Sequence, residues 1–298
     1  MSFLGIGGTP IVEIKIDGLD KRRHIPVKDK DGQSVKLPLY TGDDDISGVV
    51  ELSMGKLKKF EHQGIRVELI GHIECLTDPK LSSDFMSMGR ELEPIGVLQE
   101  DKSYKFAFNK FEKSYENYSG SGIRLRYFIR VTIARQYAPK ITKEVDIAVC
   151  QPITDVEPSG PLKLEVGIEE CLHIEFEYNK AKYHLKDVVI GKVYFLLIRI
   201  KIKYMELAIV KKETIGSGTN AATESETIGK YELMDGCPTK GEVIPIRLYL
   251  GAYNLTPTMT NINNKFSVKY FLSLVLVDEE DRRYFKQQEV QMWRKAKQ

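Results

Sequence analysis

A period-two alternation of apolar and polar side chains runs through most of this 298-residue chain and limits what the chain can fold into. Successive side chains of a β-strand point to opposite faces, so this alternation predicts strands with one face in a core and one in water. It occurs in both halves of the chain, at residues 11–16, 65–70, 123–131, 173–178 and 198–203. Many short strands predict an all-β protein built from antiparallel sheets.

Helical periodicity is scarce and is clearest at residues 83–92. Phe85, Met88 and Leu92 would share one face of a helix there, and Pro94 would end it. The sequence therefore predicts one short helix in the first half of the chain.

Residues 151–161 contain three prolines and a glycine, which break both the strand period and the helix period. We therefore predict an N-terminal β-sandwich lobe at residues 1–150, a linker at 151–161 and a C-terminal β-sandwich lobe at 162–298. Residues 216–227 are rich in Gly, Ser, Thr and Asn, and this composition predicts a mobile loop.

The composition is that of an ordinary globular protein, with 42% hydrophobic and 29% charged residues. The formal net charge is only +2, so we expect no nucleic-acid partner. The longest apolar run, residues 193–198, is far shorter than the roughly 20 residues of a membrane helix. The first residues do not have the pattern of a signal peptide. Any membrane contact is therefore expected to be peripheral.

The chain offers no recognisable catalytic constellation, and we expect it not to be an enzyme. Its five histidines are scattered, and neither a GxSxG nor an HExxH motif occurs. Its four cysteines form no CxxC pair, which favours free thiols over a zinc site. The acidic runs at residues 43–45 and 278–281 lack the spacing of a calcium loop, so we interpret both as solvated turns and expect no metal.

Two sets of cations recur at strand spacing and leave two interpretations open. The sets are Arg124, Arg126 and Arg130, and Arg199, Lys201 and Lys203. A solvated sheet face, or an edge strand protected by charge, explains them most simply. The alternative is a docking face for an acidic protein or an anionic membrane. Phe128 lies on the side of the first set, as its only aromatic residue.

Leu233 and Met234 directly precede an Asp-Gly turn signal. In a loop, the pair would be exposed, and exposed apolar patches can mark protein contacts. At the end of a strand, the pair would instead point inward. The residues alone leave both possibilities open.

Six strings in the chain are specific enough to identify a family. They are FEHQGIRVE at 60–68, RLRYF at 124–128, EVGIEECLHIEFEYNK at 165–180, KYHLKDV at 182–188, KFSV at 265–268 and VDEEDRRYFKQQE at 277–289. Together they resemble the vacuolar protein sorting subunits of retromer that have the arrestin fold. The similarity covers essentially the whole chain and is densest after residue 164.

The resemblance implies two curved antiparallel β-sandwich lobes, no catalysis and no cofactor. It implies that Leu233 and Met234 dock the second lobe on one end of a large helical-solenoid subunit. It also implies that cytosolic tails of transmembrane cargo bind beside a sorting nexin, in an apolar pocket that includes Val166 and Phe285. The sorting nexin would recognise phosphoinositides, so membrane contact by this chain would be indirect and peripheral.

The expected role is therefore cargo selection for endosome-to-Golgi retrograde transport and endosomal recycling. The expected location is cytoplasmic, on the cytosolic face of endosomes. One alternative is another arrestin-like trafficking adaptor, although such adaptors usually carry Pro-Tyr motifs and this sequence has none. A second alternative, from another class, is a hydrolase with an unrecognised site.

Overall fold

A computed structural model describes residues 8–29, 31–154, 156–168, 170–216, 218 and 221–296. The chain forms two compact units, Met1–Gln151 and Pro152–Gln298. Both consist almost wholly of strands, in mostly antiparallel sheets that make arrestin-like β-sandwiches. The prediction of an all-β, arrestin-like fold is therefore confirmed.

The described residues of the first unit form three sheets. Its strands are β1 (Ile11–Ile16), β2 (His24–Lys28), β3 (Ser34–Tyr40), β4 (Ile46–Ser53), β5 (Phe60–His62), β6 (Ile65–Cys75), β7 (Ser83–Glu93), β8 (Gly96–Leu98), β9 (Lys102–Phe108), β10 (Tyr118–Ser119), β11 (Ile123–Ile133) and β12 (Ile141–Val149). The sheet orders are β1-β4-β9, β5-β8 and β2-β3-β12-β11-β6-β7, with β10 also paired to β11. The pair β3–β12 is parallel. One short 3-10 helix, Pro79–Leu81, precedes β7.

In the second unit, the part of the chain that the structure describes forms two sheets. Its strands are β13 (Leu162–Ile168), β14 (Leu172–Tyr178), β15 (Lys182–His184), β16 (Val188–Ile198), β17 (Ile202–Ile215), β18 (Ala222–Asp235), β19 (Val243–Tyr249), β20 (Met259–Ile262), β21 (Phe266–Asp278) and β22 (Arg283–Trp293). The sheet orders are β13-β14-β16-β19 and β15-β22-β21-β17-β18, with β20 also paired to β21. The pair β15–β22 is parallel. A 3-10 helix at Leu250–Ala252 follows β19.

The predicted alternation builds both cores. In β14, Leu172, Ile174, Phe176 and Tyr178 are buried while the residues between them are more exposed. Strand β11, a central strand between β6 and β12, departs from this pattern because residues on both of its faces are buried. The candidate sites described below lie on other strands, β13, β18 and β22.

The prediction of a helix at residues 83–92 is wrong, because these residues form β7. Strand β7 pairs with β6, and the register shifts twice, leaving Phe85 and Leu92 as extra residues. Such bulges move a side chain out of strict alternation, which here imitates helical spacing. A Cβ at Gly71 would lie 2.5 Å from the Phe85 ring, so the glycine makes room for that ring.

Two other local predictions are also wrong. Residues 198–203 are not one strand, because β16 ends at Ile198 and β17 begins at Ile202 in the other sheet. Ile198 is half-buried and Ile202 is buried, so the alternation runs across the ends of two strands in different sheets. The predicted loop at 216–227 is shorter than expected, since β18 begins at Ala222 and pairs with β17. Residues 217, 219 and 220 lie outside the described part.

Candidate docking and peptide-binding sites

Leu233 and Met234 lie at the end of β18, an edge strand, and not in a loop. Both side chains are half-buried, which falls between the two possibilities that the sequence left open. Met234 pairs with Met205 of β17, and the next pair joins Glu232 to Glu206. Leu233 is therefore an extra residue in a β-bulge.

The bulge explains how an apolar pair can end a strand without being wholly in the core. A bulge leaves one residue unpaired and re-aims its side chain. The neighbouring aromatic residue Tyr231 is 46% exposed, so the end of β18 presents more apolar surface than the predicted pair alone. Sequence reasoning did not single out Tyr231, although it belongs to the same short segment.

The turn after the pair is held in place by backbone hydrogen bonds. Gly236 has a φ of +95°, a conformation that a β-carbon disfavours, and its N–H donates to the Lys203 carbonyl over 2.7 Å. Further on, the Gly241 N–H donates to the Phe195 carbonyl over 2.7 Å. Both ends of the turn are therefore anchored, which fixes the direction in which Met234 leaves β18.

Val166 and Phe285 lie on two strands that approach each other in the second unit. Val166 is half-buried on β13, and Phe285 is 63% exposed on β22. Register places Val166 beside the buried Ile174, while Phe285 pairs with the half-buried Val275. Phe285 is among the most exposed large apolar side chains described, as expected for a residue that contacts a ligand.

Both strands have backbone groups available for pairing. Strand β13 is the outer strand of its sheet and pairs only with β14 among the described strands. Strand β15 pairs with β22 only from Gln291 to Trp293, so the edge of β22 beside Phe285 is left uncovered by described strands. An extended peptide can add to an edge of this kind, with side-chain pockets supplying specificity.

The arginines of β11 are buried or half-buried and are paired with carboxylates. Arg124 is buried and contacts Asp146 at 3.1 Å, while Arg126 pairs with Glu144 at 3.0 Å and also with Asp146. Arg130 contacts Glu144 at 2.7 Å. Both interpretations of this set are therefore wrong, because β11 is a central strand and the carboxylates lie beside it on β12.

Phe128 lies under this charge network. It is fully buried, with the Arg126 guanidinium 4.1 Å and the Arg130 guanidinium 4.9 Å from its ring centre. Burial raises the pKa of Glu144, but hydrogen bonds from Arg130 and the charge of Arg126 outweigh this effect and hold that pKa below its usual value. The network therefore stays ionised and covers the outer face of the sheet.

The second set of cations, in contrast, is solvent-exposed, as the simpler interpretation expects. Lys201 reaches Glu279 at 3.5 Å and Lys203 reaches Asp281 at 3.2 Å, and all four side chains are more than half exposed. Exposed pairs of this kind contribute little to stability. They flank the turn between β21 and β22.

Asp278 corrects the interpretation of residues 278–281 as a solvated turn. Its side chain is only 3% exposed and accepts hydrogen bonds from the Arg282 N–H at 2.9 Å, Arg282 Nε at 2.8 Å and the Tyr284 hydroxyl at 2.9 Å. Desolvation raises the pKa of Asp278, but the hydrogen bonds from Arg282 outweigh it and lower that pKa to about 2. The carboxylate therefore organises the hairpin that carries Phe285.

The described residues contain no cluster of three or more His, Cys, Asp or Glu side chains that could hold a metal ion. Asp44, in the other acidic run, accepts hydrogen bonds from Arg22 and from the Thr41 N–H. None of the helices in the described part of the chain has the length and apolar character needed to cross a bilayer.

Comparison with known proteins gives a consistent picture. The sequence model of a family described as vacuolar protein sorting-associated protein 26 matches residues 7–281. The chain is 53% identical over 291 residues to the protein of that name from Dictyostelium discoideum, covering 97% of this chain and 83% of that protein. It is 51% identical over 289 residues to the Plasmodium falciparum protein, covering 97% of each.

A human relative is similar over the same region. The chain is 51% identical over 297 residues to human vacuolar protein sorting-associated protein 26B, covering 99% of this chain and 88% of the human protein. The match to the human protein therefore includes both units and all four residues of the two candidate sites, whereas the family model ends before Phe285.

Proposed function

This chain belongs to the vacuolar protein sorting-associated protein 26 family, and on that premise we propose that it is the arrestin-like, non-catalytic subunit of retromer. In this role it binds a large helical-solenoid subunit and helps to select membrane cargo for endosome-to-Golgi retrograde transport and endosomal recycling. It acts in the cytoplasm, peripherally on the cytosolic face of endosomes. A sorting nexin brings it to phosphoinositides.

The observation that supports solenoid binding is the bulged end of β18. Leu233 and Met234 are half-buried beside a turn whose backbone is anchored at Gly236. An apolar pair on a rigid hairpin can enter a groove between solenoid helices without losing much conformational entropy. A few such anchors usually dominate an interface, at about 2 kcal/mol or more for each.

The test is calorimetric titration of the native chain and of a Leu233→Asp/Met234→Asp variant against the solenoid subunit. Losing two anchors of about 2 kcal/mol each should weaken binding about 1,000-fold. Far-UV circular dichroism must show that the variant is folded. A Leu233→Ala/Met234→Ala variant, which introduces no charge, should weaken binding in the same direction.

An Ile95→Asp/Val97→Asp variant is the matched control. Both of these residues are exposed apolar side chains, at 70% and 43%, in the other unit. Native-like binding by this control would show that the effect is local to β18. If the native chain fails to bind a competent solenoid subunit, another arrestin-like adaptor role becomes the better proposal.

We further infer that the open edges of β13 and β22 receive the cytosolic tail of cargo, with Val166 and Phe285 contacting its apolar side chains. The support is the exposure of Phe285 and the uncovered strand edges beside it. Phe285→Ser should weaken the binding of a fluorescent cargo-tail peptide in the presence of the sorting nexin, while solenoid binding is unchanged. Ile190→Ser, at another exposed apolar residue of this unit, should leave peptide binding intact.

A further inference from the structure

Three lysines lie together where β15 pairs with the end of β22. Lys182, Lys186 and Lys295 have no ion pair or side-chain hydrogen bond within the described residues. We call this region the basic end and define it by these lysines together with His184 and Trp293. Other lysines of this unit, such as Lys203 and Lys269, are paired with carboxylates.

The pairing of β15 with β22 holds the basic end together. His184 is opposite Trp293 in the register, and their ring centres are 5.4 Å apart. The Lys186 N–H donates to His184 Nδ1 over 3.2 Å, so the neutral ring carries its proton on Nε2. Side chains two residues apart on a strand share a face. Lys182 therefore lies on the same face of β15 as His184, and Lys295 lies two residues beyond the end of β22, where it forms an isolated bridge with Ile153.

The local charge is positive. The carboxylate of Asp187 pairs with Lys180 Nζ and accepts a hydrogen bond from the His184 N–H. Burial lowers the pKa of His184 and the charge of Asp187 raises it, while the charges of Lys295 and Lys186 lower it further. Lys186 and Lys295 are thus close enough to the ring to affect its pKa.

The basic end cannot accept a peptide as an added strand. Strand β15 already covers β22 from Gln291 to Trp293. The backbone N–H of Lys182 donates to Ser159 Oγ at 3.0 Å, and the His184 N–H donates to Asp187. The groups left for a partner are side-chain cations, which require negative charge but no strand edge.

An apolar side chain lies beside these cations. The Ile153 N–H donates to the Arg294 carbonyl over 2.8 Å, which fixes Ile153 next to Lys295, and its side chain is 44% exposed. Cations next to an exposed apolar side chain and an aromatic ring are the combination found at membrane interfaces. This composition favours an anionic lipid surface over an acidic peptide.

We propose that the basic end binds the anionic headgroups of a lipid bilayer directly, through Lys182, Lys186 and Lys295. This contact adds to recruitment by a sorting nexin and does not depend on it. Phe285 and Trp293 share one face of β22, and eight residues of strand separate them by about 26 Å. A cargo tail leaving the same bilayer would therefore have a short distance to cover.

The test is flotation of the full chain with vesicles of phosphatidylcholine alone or of phosphatidylcholine with phosphatidylserine, without any partner protein. A lysine near an anionic surface changes the partition coefficient about fivefold (about 1 kcal/mol). The Lys182→Gln/Lys186→Gln/Lys295→Gln variant should therefore bind phosphatidylserine vesicles about 100-fold more weakly. Neither protein should bind phosphatidylcholine alone.

A Lys201→Gln/Lys203→Gln/Lys269→Gln variant is the control, because it removes the same charge from lysines of this unit that are paired with carboxylates. It should bind vesicles as the native chain does. The proposal is overturned if the native chain ignores phosphatidylserine vesicles, or if both variants lose binding equally. It is also overturned if the triple-lysine variant loses binding to a polyglutamate peptide instead of binding to vesicles. None of these outcomes bears on solenoid binding.

Discussion

Replacing Gly191 by alanine should destabilise the second unit, although a glycine-to-alanine change usually stabilises a protein where the backbone conformation allows it. Gly191 lies on β16 opposite Tyr178 of β14. A Cβ at this position would lie 2.1 Å from the carbonyl oxygen of Glu177 and 3.3 Å from the Tyr178 ring. Because the first neighbour is backbone, no side-chain rotation can relieve the clash.

The magnitude follows from two opposing effects. Gly191 is not among the glycines with positive φ, so alanine would stabilise it by about 0.4–1 kcal/mol through the unfolded state alone. Against this, β14 and β16 must separate by more than about 1 Å to restore an ordinary contact, and overpacking of this kind costs about 1–3 kcal/mol. We expect a net loss of about 1–2 kcal/mol in the free energy of unfolding.

The assay is urea denaturation followed by the fluorescence of Trp293, the single tryptophan of the chain, which lies in the second unit. Gly160→Ala is the control, because a Cβ there meets no atom within 4 Å and Gly160 has no positive φ. It should leave the midpoint unchanged or raise it. Equal midpoints for the two variants would refute the argument from the Glu177 carbonyl.

Three further outcomes follow from the sites described above. The pKa of Asp278 is lowered to about 2 from its usual 3.8, so the stability that the carboxylate contributes is complete above about pH 4 and is lost as the pH falls toward 2. The Asp278→Asn variant should therefore be less stable than the native chain at neutral pH and should lose less stability on acidification, as measured by Trp293 fluorescence. Phe128→Leu and Arg130→Met should be coupled by about 0.5–1 kcal/mol in a double-mutant cycle followed by circular dichroism, because the guanidinium contacts the ring; additive losses would contradict that contact. Gly236→Val should strain the turn after β18 by about 1–2 kcal/mol and should weaken solenoid binding, as measured by calorimetry. Unchanged affinity would show that the conformation of this turn does not contribute to docking.

Local alternation predicted most strands because it depends only on neighbouring residues. Strand β14 shows this well, since its four buried residues are those that the sequence placed on one face. The resemblance then supplied what alternation cannot, namely the family and the residues Val166, Phe285, Leu233 and Met234. Their binding roles remain predictions.

The errors arose where a strand pairs irregularly with a distant one. Phe85 and Leu92 mimic a helix because each is an extra residue opposite β6, and Leu233 is half-buried because it is an extra residue opposite β17. A bulge is defined by how two strands pair, so the sequence of one strand alone does not reveal it. Sequence composition also gave no sign that residues 222–227 extend a hairpin.

By itself, the sequence determined an all-β chain, its strand faces and its family, since side-chain alternation and long motifs are local properties. Only the tertiary structure decided which charges are free. The arginines of β11 have partners on β12 because the two strands pair, whereas Lys182 and Lys295, where β15 joins β22, pair with no carboxylate of the described residues. Whether a cation is neutralised depends on which strands become neighbours, and that depends on contacts between residues far apart in the chain.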